Sequence, residues 1–346
     1  MGEVLLKKNH EGNYLLLFDK NSGVSVRVGI DGKDPFWNPK GPELLDISIT
    51  NYCEKGCSFC YRGSHIAGVH MSIEEYECII RQAARVGVVQ VALGGGNPNQ
   101  HPQFIDILKL TRKYGIIPSY TTNGLGMTRE IYEASKKYCG AIAVSWYEPH
   151  NVAKEVVAIC KTQNIKCNIH FMLNMETIKE AIRLFTEEQE LLHNVNAVIF
   201  LNYKPIHSSA DLCLVDGADF KEFMKLALQN KACKIGFDSC MISFLMEYRN
   251  LIDYRGIDFC EAGRFSAFVS EDLILYPCSF MNDTNVRGVD LRKCSLQKGW
   301  KEGDLFIKIR ERLAKPINSK NVMCETCQLY ESCHGGCAMF DINRCS

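Results

Sequence analysis

Leu44-Leu-Asp-Ile-Ser-Ile-Thr50 runs directly into Asn51-Tyr52-Cys53-Glu54-Lys55-Gly56-Cys57-Ser58-Phe59-Cys60. The first seven residues read as a strand buried on both faces, the habit of parallel sheets. The ten that follow carry cysteines at C-x3-C-x2-C spacing. Three thiolates this close can hold three corners of a [4Fe–4S] cube, leaving the fourth iron without a protein ligand and open to a small molecule. Zinc is the alternative reading. It asks for four ligands, and His65 or His70 could complete the set. The place of the cysteines, immediately after the first strand of an alternating array, favours the cluster.

Outward from that stretch, short apolar runs alternate with helical patterns. Strands are expected at Leu44–Thr50, Val88–Leu93, Ile116–Thr122, Ala141–Trp146, Lys166–Leu173 and Ala197–Tyr203. Ser72-Ile-Glu-Glu75 has the form of a capping box, opening a helix to about Val86. Pro102 suits the first turn of a helix running to about Tyr114, and further helices are expected near 128–138, 150–163, 176–192 and 217–230. Six βα units in succession imply an α/β fold with a parallel sheet and right-handed crossovers, two strands short of the eight that close a barrel. A partial (β/α)6 TIM-like barrel is therefore expected, with its chemistry at the carboxyl ends of the strands.

Residues 1–43 read as a small β-rich lead, with Tyr14–Phe18 and Val24–Val28 flanking the turn Asn21-Ser22-Gly23. The barrel is assigned to 44–235. Residues 236–346, cysteine-dense and loop-rich from Cys260 onward, read as a second, metal-stapled domain.

Composition bounds the function. Forty basic and forty acidic residues cancel, and no Lys/Arg block is long enough to grip nucleic acid. No apolar stretch is long enough for a membrane span, and the first nine residues lack the apolar centre of a secretory signal. A cytoplasmic protein is expected. Eighteen cysteines in a reducing compartment point to metal more than to disulfides.

The spacing Cys53-x3-Cys57-x2-Cys60, with aromatic Phe59 before the last cysteine, resembles the signature of the radical S-adenosylmethionine (SAM) superfamily. The resemblance implies that SAM chelates the open iron through its amino and carboxylate groups. Cleavage by one electron then yields methionine and a 5′-deoxyadenosyl radical. Gly95-Gly96-Asn97-Pro98 resembles the Gly-Gly-Glu-Pro segment that holds the SAM amino group, with Asn97 in the place of Glu. Thr121-Thr122-Asn123-Gly124 resembles a segment at the end of the third strand in that family, and Ser145 stands where relatives place a serine near the ribose or carboxylate. Each also reads as an ordinary strand-ending turn, since Asn-Gly is a common one. His170, in the fifth strand, reads as a core histidine.

Cys324-x2-Cys327-x5-Cys333-x3-Cys337, with Cys345, Cys260 and Cys278, is similar to the SPASM extension of radical SAM enzymes. Leu273 stands where the family pattern has a glycine before the second of the upstream cysteines. The resemblance implies two auxiliary [4Fe–4S] clusters, one on Cys324, Cys327, Cys333 and Cys345, the other on Cys260, Cys278 and Cys337. Cys240 is the candidate fourth ligand; it could instead give a hydrogen atom to a substrate radical, or be a buried thiol. A zinc ribbon is the alternative for Cys324–Cys337. Most of Cys78, Cys139, Cys160, Cys167, Cys213, Cys233 and Cys294 read as small buried hydrophobes.

Relatives of this architecture modify peptides and proteins. The resemblance therefore implies a ribosomally made peptide substrate and a reducing partner such as flavodoxin or ferredoxin; in place of the longer N-terminal domain that many carry, either a separate precursor-binding protein or the barrel mouth itself would hold the precursor. A thioether or carbon–carbon crosslink is favoured, because an auxiliary cluster can accept the second electron. Peptide epimerisation and sulfatase-type formylglycine formation are the alternatives. A non-catalytic iron–sulfur electron carrier is the reading from a different class.

Overall fold

The computed structural model describes residues 4–206, 210–252, 257–282, 284–315, 324–340 and 342. Its strands, in chain order, are β1 Val4–Asn9, β2 Tyr14–Asp19, β3 Ser25–Gly29, β4 Leu44–Thr50, β5 Gln90–Gly95, β6 Ile117–Thr122, β7 Ile142–Ser145, β8 Cys167–Leu173, β9 Ala197–Asn202, β10 Lys234–Phe237, β11 Ser266–Val269, β12 Ile274–Tyr276 and β13 Val289–Asp290. The helices between β4 and β10 are α1 Ile73–Val86, α2 Phe104–Lys113, α3 Arg129–Tyr138, α4 Asn151–Gln163, α5 Ile178–Glu187, α6 Gln189–Asn194 and α7 Ala218–Gln229. The chain is a mixed α/β protein with a large parallel sheet, the class expected.

Two compact units divide the chain. The first comprises residues 1–142 and 262–308, the second 143–261 and 309–346. In the first, β6-β5-β4-β11-β12-β13 lie side by side in that order. β4 and β5 pair in parallel, Leu45 opposite Val91 and Ile47 opposite Leu93, and these four side chains are essentially fully buried. The helix α1 begins at the capping box expected of it, with Ser72 and Glu75 bonding reciprocally, and stops at Gly87, whose φ of 98° ends the helix in the left-handed region. Pro102 lies outside the helix expected there. His101 accepts from the Gln103 N–H and bonds Met71 O through its other ring nitrogen, which holds a turn ahead of α2.

The stretch after Cys260 contributes a strand to the same sheet. β11 pairs in parallel with β4, Ala267 opposite Leu45, and antiparallel with β12. Leu273 turns the chain between them at φ 61°, its N–H donating to Ser270 O at 2.9 Å. The hairpin turn thus survives the absence of glycine. β1, β2 and β3 form a separate antiparallel sheet. One face, Tyr14, Leu16 and Phe18, packs on Val89, Ile117 and Phe265.

In the second unit β8 and β9 pair in parallel, and β9 pairs in parallel with β10. The helix expected over 176–192 is broken at Glu188 into α5 and α6. Of the cysteines read as small core residues, Cys160, Cys167 and Cys213 are buried, whereas Cys78 is exposed because it lies on the outer face of α1.

Candidate metal centre

The loop carrying Cys53, Cys57 and Cys60 leaves the carboxyl end of β4 through a closed neck. The Cys53 N–H donates to His65 O at 3.2 Å, the His65 N–H to Asn51 O at 3.3 Å, and Ser64 Oγ to Asn51 Oδ1 at 2.8 Å. Gly68 presses against that neck, where a Cβ would meet Asn51 O at 2.1 Å. Inside the loop, Cys60 N–H donates to Cys57 O, and Gly63 N–H to Cys60 O. All three cysteines are half-buried. Burial pushes the Cys57 thiol up; Lys55 opposes this, while thiolates at Cys60 and Cys53 add to it. Three thiols carried on one short loop form a donor set suited to an iron–sulfur cluster. Among the described residues no group of three or more His, Cys, Asp or Glu side chains is gathered at metal-binding distance.

The second wall comes from the end of β5. Gly96 N–H donates to Thr50 O at 2.7 Å and Asn97 N–H to Tyr52 O at 2.9 Å, so the glycine segment runs backbone-to-backbone along the start of the cysteine loop. Only glycine permits this. A Cβ on Gly95 would lie 2.1 Å from Thr50 O, one on Gly96 2.0 Å from Tyr52 O, and Gly95 also has φ 113°. Pro98 opens a short 3₁₀ turn. Asn97, 1% exposed, spends its side chain inside the protein: its amide donates to Leu125 O at 2.9 Å, and its oxygen accepts from Thr122 Oγ1 and the Asn123 N–H. A glutamate could not donate to Leu125 O, which is a physical reason for asparagine at this position.

The third wall is the end of β6. Asn123 donates from Nδ2 to Cys53 Sγ at 3.3 Å. Cys53, Cys57, Cys60, Gly95, Gly96, Asn97 and Asn123 all belong to the first unit. Phe59 is half-buried within the cysteine loop. Ser145, half-buried at the end of β7, belongs to the second unit, as does His170, whose imidazole burial pushes down to about 4. A neutral histidine in the sheet fits that environment.

Sequence reasoning missed what ties the loop down after Cys60. Arg62 Nη2 bonds both oxygens of Glu271, at 2.9 and 2.6 Å, and Ser48 Oγ donates to the same carboxylate at 2.6 Å. All three are buried. The Tyr61 ring lies tilted against Phe280, centroids 4.4 Å apart, and burial raises its hydroxyl to about 12. The one available signal was two uninterrupted polar residues beside a cluster motif; nothing local pointed to Glu271, more than two hundred residues away in the chain.

The later cysteines are placed differently. Cys278 stands just past β12, in the first unit, half-buried. In the second unit, the thiol of Cys240 donates to Cys337, which raises the Cys240 thiol and lowers that of Cys337; Cys260 is near enough to push Cys337 back up. Cys240 packs with Tyr203, Cys213, Cys337 and Ile342. Cys324 and Cys327 flank a single turn, with Cys327 N–H on Cys324 O at 3.2 Å, and Cys324, Cys333 and Cys337 are buried. Cys345 lies outside the described residues. No described helix is long and apolar enough to cross a membrane.

The family description "Radical SAM superfamily" matches residues 47–189. A probable GTP 3′,8-cyclase of Pyrococcus abyssi is 38% identical over 81 residues, 23% of this chain and 26% of that protein. A PqqA peptide cyclase of Streptomyces rochei is 24% identical over 128 residues, 36% of this chain and 35% of that one. The chain thus spans about a quarter to a third of these relatives. Among solved structures, SuiB of Streptococcus suis bound to its precursor peptide SuiA superposes with a TM-score of 0.75 at 16% identity, over 96% of this chain and 94% of that one. The enzyme anSMEcpe with bound AdoMet and the Cp18Cys peptide gives 0.64 at 15% identity, over 86% and 89%. At such identities the likeness is one of fold, that of a TIM-like barrel. Residues 47–189, the cysteine loop included, match the radical SAM family model, and the likeness in fold agrees with that match.

Proposed function

We propose that the protein is a radical SAM enzyme that modifies a ribosomally made peptide. The observation that carries this reading is the three-walled site at the ends of β4, β5 and β6, where the loop of three cysteines is bonded along its start to a glycine segment with no room for side chains. The donor set fits a [4Fe–4S] cluster held by Cys53, Cys57 and Cys60. Bound there together, cluster and SAM supply a 5′-deoxyadenosyl radical by one-electron cleavage of the sulfonium. The chain's own part is to hold and orient. Backbone carbonyls of Gly95 and Gly96 offer acceptors for an ammonium group, and the neck at Asn51 and His65 keeps the cysteine loop shut at its base.

Peptide chemistry is supported by the fold likeness to SuiB and anSMEcpe, both of which hold peptides in those structures. Ligation of two auxiliary clusters by the later cysteines, Cys278 and Cys345 included, belongs to the same proposal, with 236–346 as the auxiliary segment. The engagement of Cys240 with Cys337 favours a ligand over a free hydrogen donor, and so crosslinking over epimerisation. Ferredoxin or flavodoxin would supply the electron.

Anaerobic reconstitution with dithionite and SAM tests the first claim: 5′-deoxyadenosine forms, and its absence defeats the reading. About twelve irons per chain are expected for three clusters; near four would leave the auxiliary clusters out. Co-expression with a peptide encoded beside the gene tests the substrate. Loss of two hydrogens marks a crosslink. An unchanged mass with deuterium uptake from solvent marks epimerisation, and turnover of GTP in place of any peptide would favour the nucleotide chemistry named for the Pyrococcus relative.

A further inference from the structure

We propose that Asn123 is a positioning residue which donates a hydrogen bond to the Cys53 sulfur and so raises the reduction potential of the cluster. The inference rests on the reading of Cys53, Cys57 and Cys60 as the ligand set. It assigns Asn123 to the cluster's sulfur ligand, where sequence likeness pointed to SAM.

The geometry fixes which end of the amide faces the sulfur. Asn123 Oδ1 accepts from the Leu125 N–H at 2.9 Å, so the oxygen is committed and the NH₂ is left for Cys53 Sγ at 3.3 Å. The loop that presents it is clamped at several points by two buried asparagines. Thr122 Oγ1 lies 2.6 Å from Asn99 Oδ1 and 3.1 Å from Asn97 Oδ1. The Asn123 N–H donates to Asn97 Oδ1, and Gly124 N–H to Thr122 Oγ1. The amides of Asn97 and Asn99 both end on Leu125 O, at 2.9 and 2.7 Å. Asn97 and Asn99 are 1% and 4% exposed, so this bracing is shielded from water and its bonds are correspondingly strong.

A donor aimed at a ligating thiolate stabilises the electron-rich, reduced cluster more than the oxidised one. Hydrogen bonds to the sulfurs are among the levers that set such potentials. The strut from β5 through Asn97 to Asn123 thereby makes the first cluster easier for its donor to reduce.

The test is an EPR-monitored redox titration of the reconstituted full chain, following the signal that changes on adding SAM. Asn123→Ala and Asn123→Asp, neither able to donate from that position, are expected to move its midpoint negative. A tenfold lower ratio of reduced to oxidised cluster at fixed poise corresponds to about 59 mV for one electron. In D₂O, the coupling of an exchangeable deuteron to this cluster should be present in the parent and lost in Asn123→Ala. An unmoved midpoint with full iron content overturns the proposal. Should both variants fail to hold iron, Asn97→Leu removes the amide that braces the Asn123 loop without adding charge or touching Cys53; a smaller negative shift is expected, and no shift overturns the proposal. A parent protein with no SAM-responsive signal would instead defeat the underlying cluster assignment, an outcome separable from any effect of Asn123.

Discussion

The cysteines on the loop after β4 and those between Cys324 and Cys337 are the same residue type in opposite kinds of support. The first set hangs from strands whose side chains are buried whatever the cysteines do: Leu45, Ile47, Ile49 and Val91 are fully buried, and the glycine segment is hydrogen-bonded to the loop backbone. The second set sits in short turns. Cys324–Thr326 and Tyr330–Cys333 are its only described elements, followed by His334, Gly335 and Gly336 in left-handed conformations. What holds it is a stack of Phe259 on His334, 3.7 Å between centroids, a bond from His334 Nδ1 to Leu313 O, and cysteines packed as core. On the proposed auxiliary ligation, a segment so poor in apolar mass would draw its stability from metal, whereas the first site borrows a scaffold.

The largest expected effect breaks that comparison if it fails. Stripping the iron with a chelator should abolish amide-exchange protection over 324–340, because ligand binding and folding are one free energy in such segments. Protection across β4, β5 and β6 should persist. Equal loss in both regions would show that the strands need the cluster too.

Next in size is Gly96→Ala. Its Cβ would fall 2.0 Å from Tyr52 O, so two backbones must separate and two inter-loop hydrogen bonds are lost. A cost of about 4 kcal/mol or more is expected, read as a lowered thermal midpoint with iron lost selectively from the SAM-responsive cluster. Arg62→Met probes the far side of the loop. It leaves Glu271 buried with Ser48 alone, for about 3–5 kcal/mol. Adding Glu271→Leu should recover most of that, as replacing both partners of a buried pair usually does; no recovery would mean Arg62 acts through packing on the Phe268 ring.

The strand-built part of the second unit gives a pH test. His170 in β8 is held near 4, below about 6.5 for an unfolded histidine. Between these values the unfolded chain binds more protons, so stability present above pH 6.5 is lost as pH falls toward 4. Allowing for its half-burial, the loss is on the order of 2 kcal/mol. His170→Gln should flatten the acid limb of thermal midpoint against pH; an unchanged slope would place the acid sensitivity elsewhere.

How much of this was legible follows the same division. β4 was read to the residue, and the Ser72 cap with it, because both signals are local: apolar runs and a reciprocal side-chain bond within four residues. The three cysteines, Gly95–Pro98 and Asn123 were legible as short motifs at strand ends. The bonds that make them a site were not, since Asn97 to Leu125 and Arg62 to Glu271 join segments that sequence spacing does not relate. β11 was missed for a similar reason. Ser266–Val269 is four residues long and becomes a strand only because β4 offers it an edge.

The smallest expected effect concerns the turn that delivers Cys278. Leu273 holds φ 61°, where a leucine is strained by about 1–2 kcal/mol. Leu273→Gly would relieve that strain, yet the side chain is 7% exposed, and losing it forfeits roughly 1.5–3 kcal/mol of burial. Glycine also brings about 0.5–1 kcal/mol of extra unfolded-state freedom. Burial and entropy together exceed the strain, so the variant should be less stable by roughly 1–2 kcal/mol while β11, β12 and the iron content are retained. A rise in thermal midpoint would reverse the ranking of the two terms, and would show that the strain at this turn outweighs the burial of its leucine.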